Sequence, residues 1–431
     1  MQKILALSLV LLLFCGMVTG CYDRREADDM AYVIAIGLDK GKTNELKMTF
    51  QIAKPGNMGG GGEGSGGGGG DQEASTITVI ETPTIYSGFN MVNTFLSRQI
   101  NLSHAKVIVI SKELAEEGIE HYLHAFIRGK EFRPNLYVVV SRSGAEEYIR
   151  NVKPQLEINP AKYYELLYRG DYYTGLIART HLYSFYSQVK SYDKQPVAIL
   201  AGVGSFEASD QIEIDNSTFL AKGRSLPHEG DFKAGDVTQV SDSKSEVMGL
   251  AVFDGDKMVG ELDGEEASAY LMLNGQYNYA YWTIEDPQAQ DKHVLLNISQ
   301  SRKPQIHVEM VNTQPVIDIK IILEADILSL QSGINYEKTE NILILEKAAE
   351  HHTKEGIMRF LTHTQGLNAD TCGFGADLRS AFLTWEEWQN FNWKSKYKDA
   401  TFNVDVELRI RRPGLIIRTS PTINSEGEKR D

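Results

Sequence analysis

Apolar runs of strand length alternate with amphipathic helical patterns through the first half of the chain. Residues 106–110 have the pattern of a buried strand, Ser111 is placed to cap a following helix, and residues 136–140 return as a second strand. Ser143 and Glu146 then have the spacing of a capping box, which predicts another helix start. Strands that alternate with helices predict an α/β domain built on a mixed sheet.

The pattern changes after Pro196, which marks a predicted domain boundary. Short strand patterns joined by turns rich in Ser, Asp and Gly follow it, and they predict a small middle domain. Farther on, alternating side chains predict an antiparallel sheet packed by helices, the longest of them at 337–365, which is an α+β layout. We therefore expect a fold of class α/β and α+β in three mixed domains, at residues 21–195, 196–279 and 280–420.

Residues 59–70 read GGGGEGSGGGGG and interrupt a strand pattern that resumes at Ser75. Such a tract has almost no side chains to bury and behaves as flexible coil. A phosphate-binding loop is the alternative, but no Gly-Lys-Ser/Thr ending and no helix pattern follow the tract. The tract is therefore predicted to be a flexible loop between two strands.

Residues 1–20 have the pattern of a bacterial lipoprotein signal peptide. Lys3 provides the positive charge, residues 5–14 the apolar core, and Thr19 and Gly20 the small residues before Cys21. The mature protein is thus expected to begin at a diacylated Cys21, since stable anchoring usually takes two hydrophobic signals. An ordinary secretory signal followed by an incidental cysteine is the alternative.

The charge of the chain excludes one class of partner. Its formal net charge is −14, whereas nucleic-acid binding needs a basic face, so we expect no nucleic-acid partner. The same acidity disfavours broad attraction to anionic lipids, so membrane contact is expected through the acyl group. With Cys15 removed and Cys21 acylated, Cys372 is left alone, and no intrachain disulfide is expected.

Patterns typical of enzymes and metal sites are missing from the sequence. His351 and His352 are adjacent, so they point about 100° apart on a helix and cannot bind a metal as HExxH does. There is no Gly-x-Ser-x-Gly nucleophile motif, and no base accompanies Cys372 in the sequence. We therefore predict no catalytic, cofactor or metal site.

Three stretches carry a resemblance to a known family. They are Gly20-Cys21-Tyr22-Asp23-Arg24-Arg25-Glu26 with the strand Met30 to Asp39, then Gly249 to Leu262, and finally Ala369 to Gly375, Trp385 to Trp393 and Val404 to Arg412. In this order they resemble the Ger(x)C family, the lipoprotein C subunits of spore nutrient germinant receptors. The chain departs from the family pattern at Tyr22, usually tryptophan, at the glycine tract, and at Pro413, commonly threonine.

The resemblance implies a non-enzymatic, three-domain protein of mixed α/β architecture on the outer face of the spore inner membrane. It also implies assembly with a multi-pass B subunit and a partly cytosolic A subunit, and participation in germination triggered by small nutrients. Asp23, Arg24, Arg25 and Glu26 could contact a partner at the bilayer surface or form a solvated stem. The Gly373-Phe374-Gly375 segment is expected to end the long helix with Phe374 packed inward, rather than to bind a ligand.

Two other protein classes share some of these features. A solute-binding lipoprotein of an ABC importer also has a lipid anchor and α/β character, but it needs two similar lobes around a hinged cleft. The second half of this chain has a meander pattern instead. A surface-attached hydrolase would need a nucleophile and a base, which the sequence does not pair.

Overall fold

The computed structural model describes residues 1–6, 8, 27–54, 74–204, 227–312 without 238 and 240, 314–414 and, beyond 414, only a few short pieces. The described chain contains two large sheets, and helices pack on both.

The first sheet contains nine strands: β1 (Met30–Lys40), β2 (Leu46–Ala53), β3 (Ser75–Thr82), β4 (Gln99–Asn101), β5 (Val107–Ser111), β6 (Tyr137–Ser141), β7 (Val197–Val203), β8 (Ser245–Asp254) and β9 (Lys257–Leu262). Their order is β3-β2-β1-β5-β6-β7-β8-β9, and β4 pairs with the start of β1. The central strands β1, β5, β6 and β7 are parallel, whereas the flanking pairs are antiparallel. The predicted mixed sheet is therefore confirmed.

Helices cover both faces of this sheet: α1 (Ile85–Val92), α2 (Lys112–Glu117), α3 (Glu120–Arg128), α4 (Ala145–Asn151), α5 (Pro160–Leu167) and α7 (Leu182–Val189). The short helix α6 (Asp171–Thr174) lies instead against the second sheet, where the Tyr172 ring contacts the Tyr279 ring. In β6, Val138 and Val140 join the core beneath α2, α3 and α7, while Val139 joins the core beneath α4 and α5. A strand covered on both faces needs apolar side chains at successive positions, which explains the unbroken apolar runs in the sequence.

The hairpin of β2 and β3 fixes the place of the glycine tract. Ala53 pairs with Ser75, and the antiparallel register continues to Leu46 opposite Thr82. The tract thus lies in the connection between two strands, as predicted, while residues 55–73 themselves are outside the described chain.

The second half consists of α8 (Gly264–Leu273), β10 (Tyr279–Glu285), β11 (His293–Ser299), β12 (Gln305–Val311), β13 (Gln314–Leu330), α9 (Thr339–Gly366), α10 (Gly375–Leu378), α11 (Trp385–Phe391) and β14 (Thr401–Arg412). Farther on, the short pair β15 (Thr422–Ile423) and β16 (Lys429–Arg430) is described. The long strand β13 pairs antiparallel with β11 along its second half and with β12 along its first half.

The last strand of the second sheet runs parallel to its neighbour. β14 pairs with β13 from Thr401 opposite Val316 to Arg412 opposite Asp326. The connection between them contains α9, which packs on the sheet and returns the chain to the start of β13. The antiparallel sheet covered by helices is as predicted, but its strands do not form the predicted meander, because β11 pairs with β13 rather than with β12. The parallel pair is an addition that side-chain alternation does not specify.

The residues predicted as a middle domain contribute to both halves. Strands β7, β8 and β9 extend the first sheet, and α8, which follows β9 directly, packs in the core of the second sheet. The division of the chain into three domains stays a prediction.

Shortening the glycine tract should leave the fold intact. Replacing residues 59–70 by a short turn should change the free energy of unfolding by about 1 kcal/mol or less, because closure entropy grows only with the logarithm of loop length. Thermal unfolding followed by circular dichroism measures the effect. A melting temperature more than about 10 °C lower would contradict this expectation.

Candidate functional site at the junction of the two sheets

The predicted site residues Cys21, Asp23, Arg24, Arg25 and Glu26 lie outside the described residues. Their roles in lipidation and partner contact therefore stay predictions. The described main chain enters the first sheet at Met30, which is buried.

In α/β folds, ligands usually bind beyond the carboxyl ends of the parallel strands. Here the chain fills that position with its own ion pairs. Glu261 is buried and lies 2.7 Å from the ammonium of Lys112, 3.4 Å from the Arg142 guanidinium and 3.6 Å from Lys233. Burial alone would raise the pKa of Glu261, but the three cations outweigh it and hold the pKa below its usual value. The cluster therefore binds β9 to the ends of the central strands.

A second carboxylate at this edge caps a helix. Asp39, at the end of β1, accepts hydrogen bonds from the backbone N–H groups of Ala145 and Glu146 at 2.7 and 2.9 Å. The predicted capping box was wrong, because the side chain of Ser143 accepts from Val203 N–H instead. The start of α4 thus depends on a long-range contact.

The junction of the two sheets is built around the buried carboxylate of Asp370. Its oxygens accept hydrogen bonds from the N–H groups of Gly373 at 2.7 Å and Gly375 at 3.2 Å, and from the Trp393 indole at 2.8 Å. Burial raises the pKa of Asp370 to about 6, although these three donors oppose the shift. The segment that carries the Gly-Phe-Gly sequence therefore wraps around one acidic side chain.

Glycine is required at two places in this segment. Gly373 has φ +81°, a conformation that side chains rarely tolerate, and a Cβ on Gly375 would overlap the indole of Trp393. Phe374 is buried, as predicted. The long helix ends at Gly366, close to the predicted end at 365, and Asn368 then has the left-handed conformation with φ 49°, so the expectation that Gly373-Phe374-Gly375 ends this helix was wrong. Gly373 therefore turns the chain around Asp370 rather than ending the helix.

The same segment docks on the chain that leads into β7. The carbonyl of Asp370 accepts from Gln195 N–H at 2.7 Å, Lys194 donates to the side chain of Asn274 at 2.6 Å, and Arg379 pairs with Asp193 at 3.2 Å. Residues 193–195 thus form one of the contacts between the two halves of the molecule.

Helices α8 and α9, both in the second half, pack against each other beside the junction. Glu265 is only 2% exposed and lies 2.6 Å from the Arg359 guanidinium, while His363 Nδ1 lies 2.6 Å from Glu266. The hydrogen bond to Glu266 raises the pKa of His363. Gly260 packs so closely on Leu367 that a Cβ there would come within 2.5 Å of its side chain. The packing beside the junction therefore depends on ion pairs between α8 and α9 and on the close approach of β9 to the end of α9.

Other candidate sites are filled or unreactive. Burial raises the pKa of the Cys372 thiol, which opposes formation of a thiolate. Within the described ranges, no three His, Cys, Asp or Glu side chains gather closely enough to bind a metal ion. An open groove of about 590 Å³ crosses β12, β13 and β14, and some of its polar side chains pair with one another, as Lys320 does with Asp405 and Asn403 with Asp318.

Two family descriptions match the chain in the order of its two halves. Residues 23–203 match "Spore germination protein N-terminal domain", and residues 248–414 match "Spore germination B3/ GerAC like, C-terminal". The chain belongs to the Ger(x)C family of spore germination proteins. The resemblance noted in the sequence is thereby confirmed, and the junction lies within the two matched segments.

Relatives and a solved structure agree with this assignment. The putative spore germination protein YfkR of Bacillus subtilis strain 168 is 25% identical over 97% of this chain and 99% of its own length. Spore germination protein KC of the same organism is also 25% identical, over 95% and 96%. The crystal structure of the GerBC protein matches with a TM-score of 0.51 at 13% identity, covering 87% of this chain and 96% of that one, and so shares the fold.

The central residue of the junction was missed by sequence reasoning. Asp370 lies inside the motif Ala369 to Gly375 that carried the resemblance, yet its role depends on Trp393, 23 positions away. The available signal was a single acidic residue in an otherwise uncharged motif before two glycines.

Replacing Asp370 by asparagine should remove a pH dependence of stability. The pKa of Asp370 is about 6 in the folded chain and about 3.8 when exposed, so folding favours the protonated carboxyl. Its contribution to the free energy of unfolding is therefore complete below pH 3.8 and is lost as the pH rises through 6. The difference between wild type and Asp370→Asn should fall by about 2 to 3 kcal/mol between pH 4 and pH 7.

Urea unfolding at a series of pH values measures this difference. Asp399→Asn, which removes an exposed carboxyl near the same core, is the matched control and should not reproduce the change. If wild type and Asp370→Asn keep a constant difference over this range, the carboxyl does not titrate as described.

Proposed function

We propose that this chain is the lipid-anchored, non-enzymatic subunit of a spore nutrient germinant receptor. The observation that carries the proposal is the pair of family segments, which begins at residue 23, two positions after the predicted lipidation site Cys21. The relatives are named as spore germination proteins. In this role the chain takes part in germination triggered by small nutrients.

The proposed location is the outer face of the spore inner membrane, with attachment through Cys21. Among the described helices, none is both long and apolar enough to cross a bilayer. The partners we propose are the A and B subunits of the receptor, with Asp23, Arg24, Arg25 and Glu26 as a contact at the membrane surface.

The positions where a ligand or a reactive group would be expected are occupied or unreactive, which supports a role through contacts with partners rather than through catalysis. The carboxyl ends of the central strands are closed by Glu261 and its three cations, and the thiol of Cys372 has a raised pKa. Hydrogen bonds around Asp370 join the two halves, as from Gln195 N–H to the Asp370 carbonyl. A receptor subunit that acts through contacts with its partners needs no substrate site of its own.

An importer's solute-binding lipoprotein remains the alternative. It needs two similar lobes around a hinge, whereas the two sheets here differ in strand number and order. Hydrogen bonds at residues 193–195 also join the two halves directly, for example from Gln195 N–H to the Asp370 carbonyl.

The anchor is tested by replacing the lipidated residue. Cys21→Ala should abolish incorporation of a labelled fatty acid, because only the Cys21 thiol is placed to receive the lipid. Cys372→Ala is the matched control and should label like wild type. Unchanged labelling of Cys21→Ala would exclude this lipidation site.

The receptor role is tested by deletion of the gene. Spores without the protein should lose the response to one defined nutrient, while vegetative growth and solute uptake stay normal, because a receptor triggers an output and an importer supplies a flux. Germination is followed by the fall in optical density of spore suspensions, and uptake by labelled solutes. Normal germination together with failure to take up one solute would favour the importer instead.

A further inference from the structure

The loop between α1 and β4 lies at the edge of the first sheet where the anchored chain arrives. The parallel strands β1, β5, β6 and β7 all begin at this edge, which we call the amino edge. Met30, the first residue of β1, pairs with Gln99, the first residue of β4, so the two backbones lie about 4.8 Å apart. Residues 93–98 therefore end directly beside the entry of the chain.

The anchor fixes how far this edge can be from the bilayer. Nine residue steps separate Cys21 from Met30, and a fully extended chain of that length reaches about 30 Å. The amino edge is thus the part of the first sheet that the proposed anchor holds nearest to lipid. This step rests on the proposed lipidation of Cys21.

The loop exposes apolar side chains in a fixed conformation. Phe95 is 58% exposed and Met91, in the last turn of α1, is 43% exposed. The backbone is held in place because Leu96 N–H donates to the carbonyl of Val92 at 3.1 Å and Asn93 accepts from Ile100 N–H at 2.9 Å. Large apolar side chains held outward without a protein neighbour are typical of an interaction surface.

The charge around the loop favours lipid as the occupant. Residues 82–112 contain no Asp or Glu, although the chain as a whole carries 58 of them. Arg98 is exposed in the same loop as Phe95, whereas Lys106, just before β5, pairs with Glu165 at 3.0 Å. Asp28 and Asp29, just before Met30, are the acidic groups that face this edge from the entering chain. Residues 93–98 thus carry exposed apolar surface and a single charge, the positive charge of Arg98, in an otherwise acidic protein.

We propose that residues 93–98 form a membrane-contacting loop, with Phe95 inserted at the boundary between lipid headgroups and acyl chains. Apolar side chains at such interfaces lie about 5–10 Å deep, flanked by Lys or Arg. The contact orients the protein on its anchor, with the amino edge of the first sheet toward the bilayer and the carboxyl edge away from it.

Fluorescence quenching in vesicles tests the proposal. The full chain carrying Phe95→Cys is isolated from membranes of cells that process lipoproteins, labelled with an environment-sensitive dye, and reconstituted in vesicles of phosphatidylcholine and phosphatidylglycerol. Glu113→Cys, exposed at the opposite, carboxyl edge, is the matched control, and the unsubstituted chain gives the background from Cys372. Bromine atoms on the acyl chains should reduce the emission at position 95 by about half or more, given the expected depth, and leave position 113 unchanged.

Two outcomes overturn the proposal. Equal and weak quenching at both positions would mean that the loop lies in water, and a blue-shifted dye at position 95 without quenching would mean that protein covers it, either a membrane partner or a second copy. If Phe95→Cys does not fold, Arg98→Cys in the same loop provides the same measurement. The mass of the acyl group on Cys21, read from the same sample, tests the anchor separately, so failure of the loop and failure of the anchor are distinguishable.

Discussion

The structure depends on one buried carboxylate at the junction of its two sheets. Asp370 is fully removed from solvent, and a charge in that position is tolerated only when hydrogen-bond donors surround it. Gly373, Gly375 and Trp393 supply those donors, and the backbone carbonyl of Asp370 binds the segment that enters β7. One residue therefore fixes the local turn and the contact between the two halves.

The glycines of the family segments follow from this packing. Gly375 admits the Trp393 indole and Gly260 admits Leu367, so in both places the missing side chain lets two elements approach. Gly249 has φ +81° and lies against the carbonyl of Leu262 where β8 and β9 pair. Two of the family stretches therefore take part in the contact between the two sheets, Gly249 to Leu262 through Gly260 and Ala369 to Gly375 through Asp370.

Polar side chains of the first sheet occupy the position beyond the carboxyl ends of the parallel strands, where α/β folds usually bind a ligand. Asp39 caps α4, and Glu261 collects three cations where other α/β proteins bind ligands. The surface features left at the opposite edge are apolar and basic, around Phe95 and Arg98. The occupied carboxyl edge and the exposed loop at the opposite edge are both compatible with the proposed role of an anchored subunit that acts through contacts at a membrane.

The sequence by itself determined the elements and the family. Unbroken apolar runs specify strands covered on both faces, alternation specifies the strands of the second sheet, and the interrupted strand pattern around residues 59–70 specifies a hairpin connection. Side-chain period reveals which face of a strand is buried but not which strand lies beside it. For that reason only the tertiary structure decided that β7 to β9 extend the first sheet and that β14 runs parallel to β13. It also decided that Asp39 caps α4 and that Asp370 joins the two halves, because these carboxylates act through partners distant in the sequence and buried only after folding.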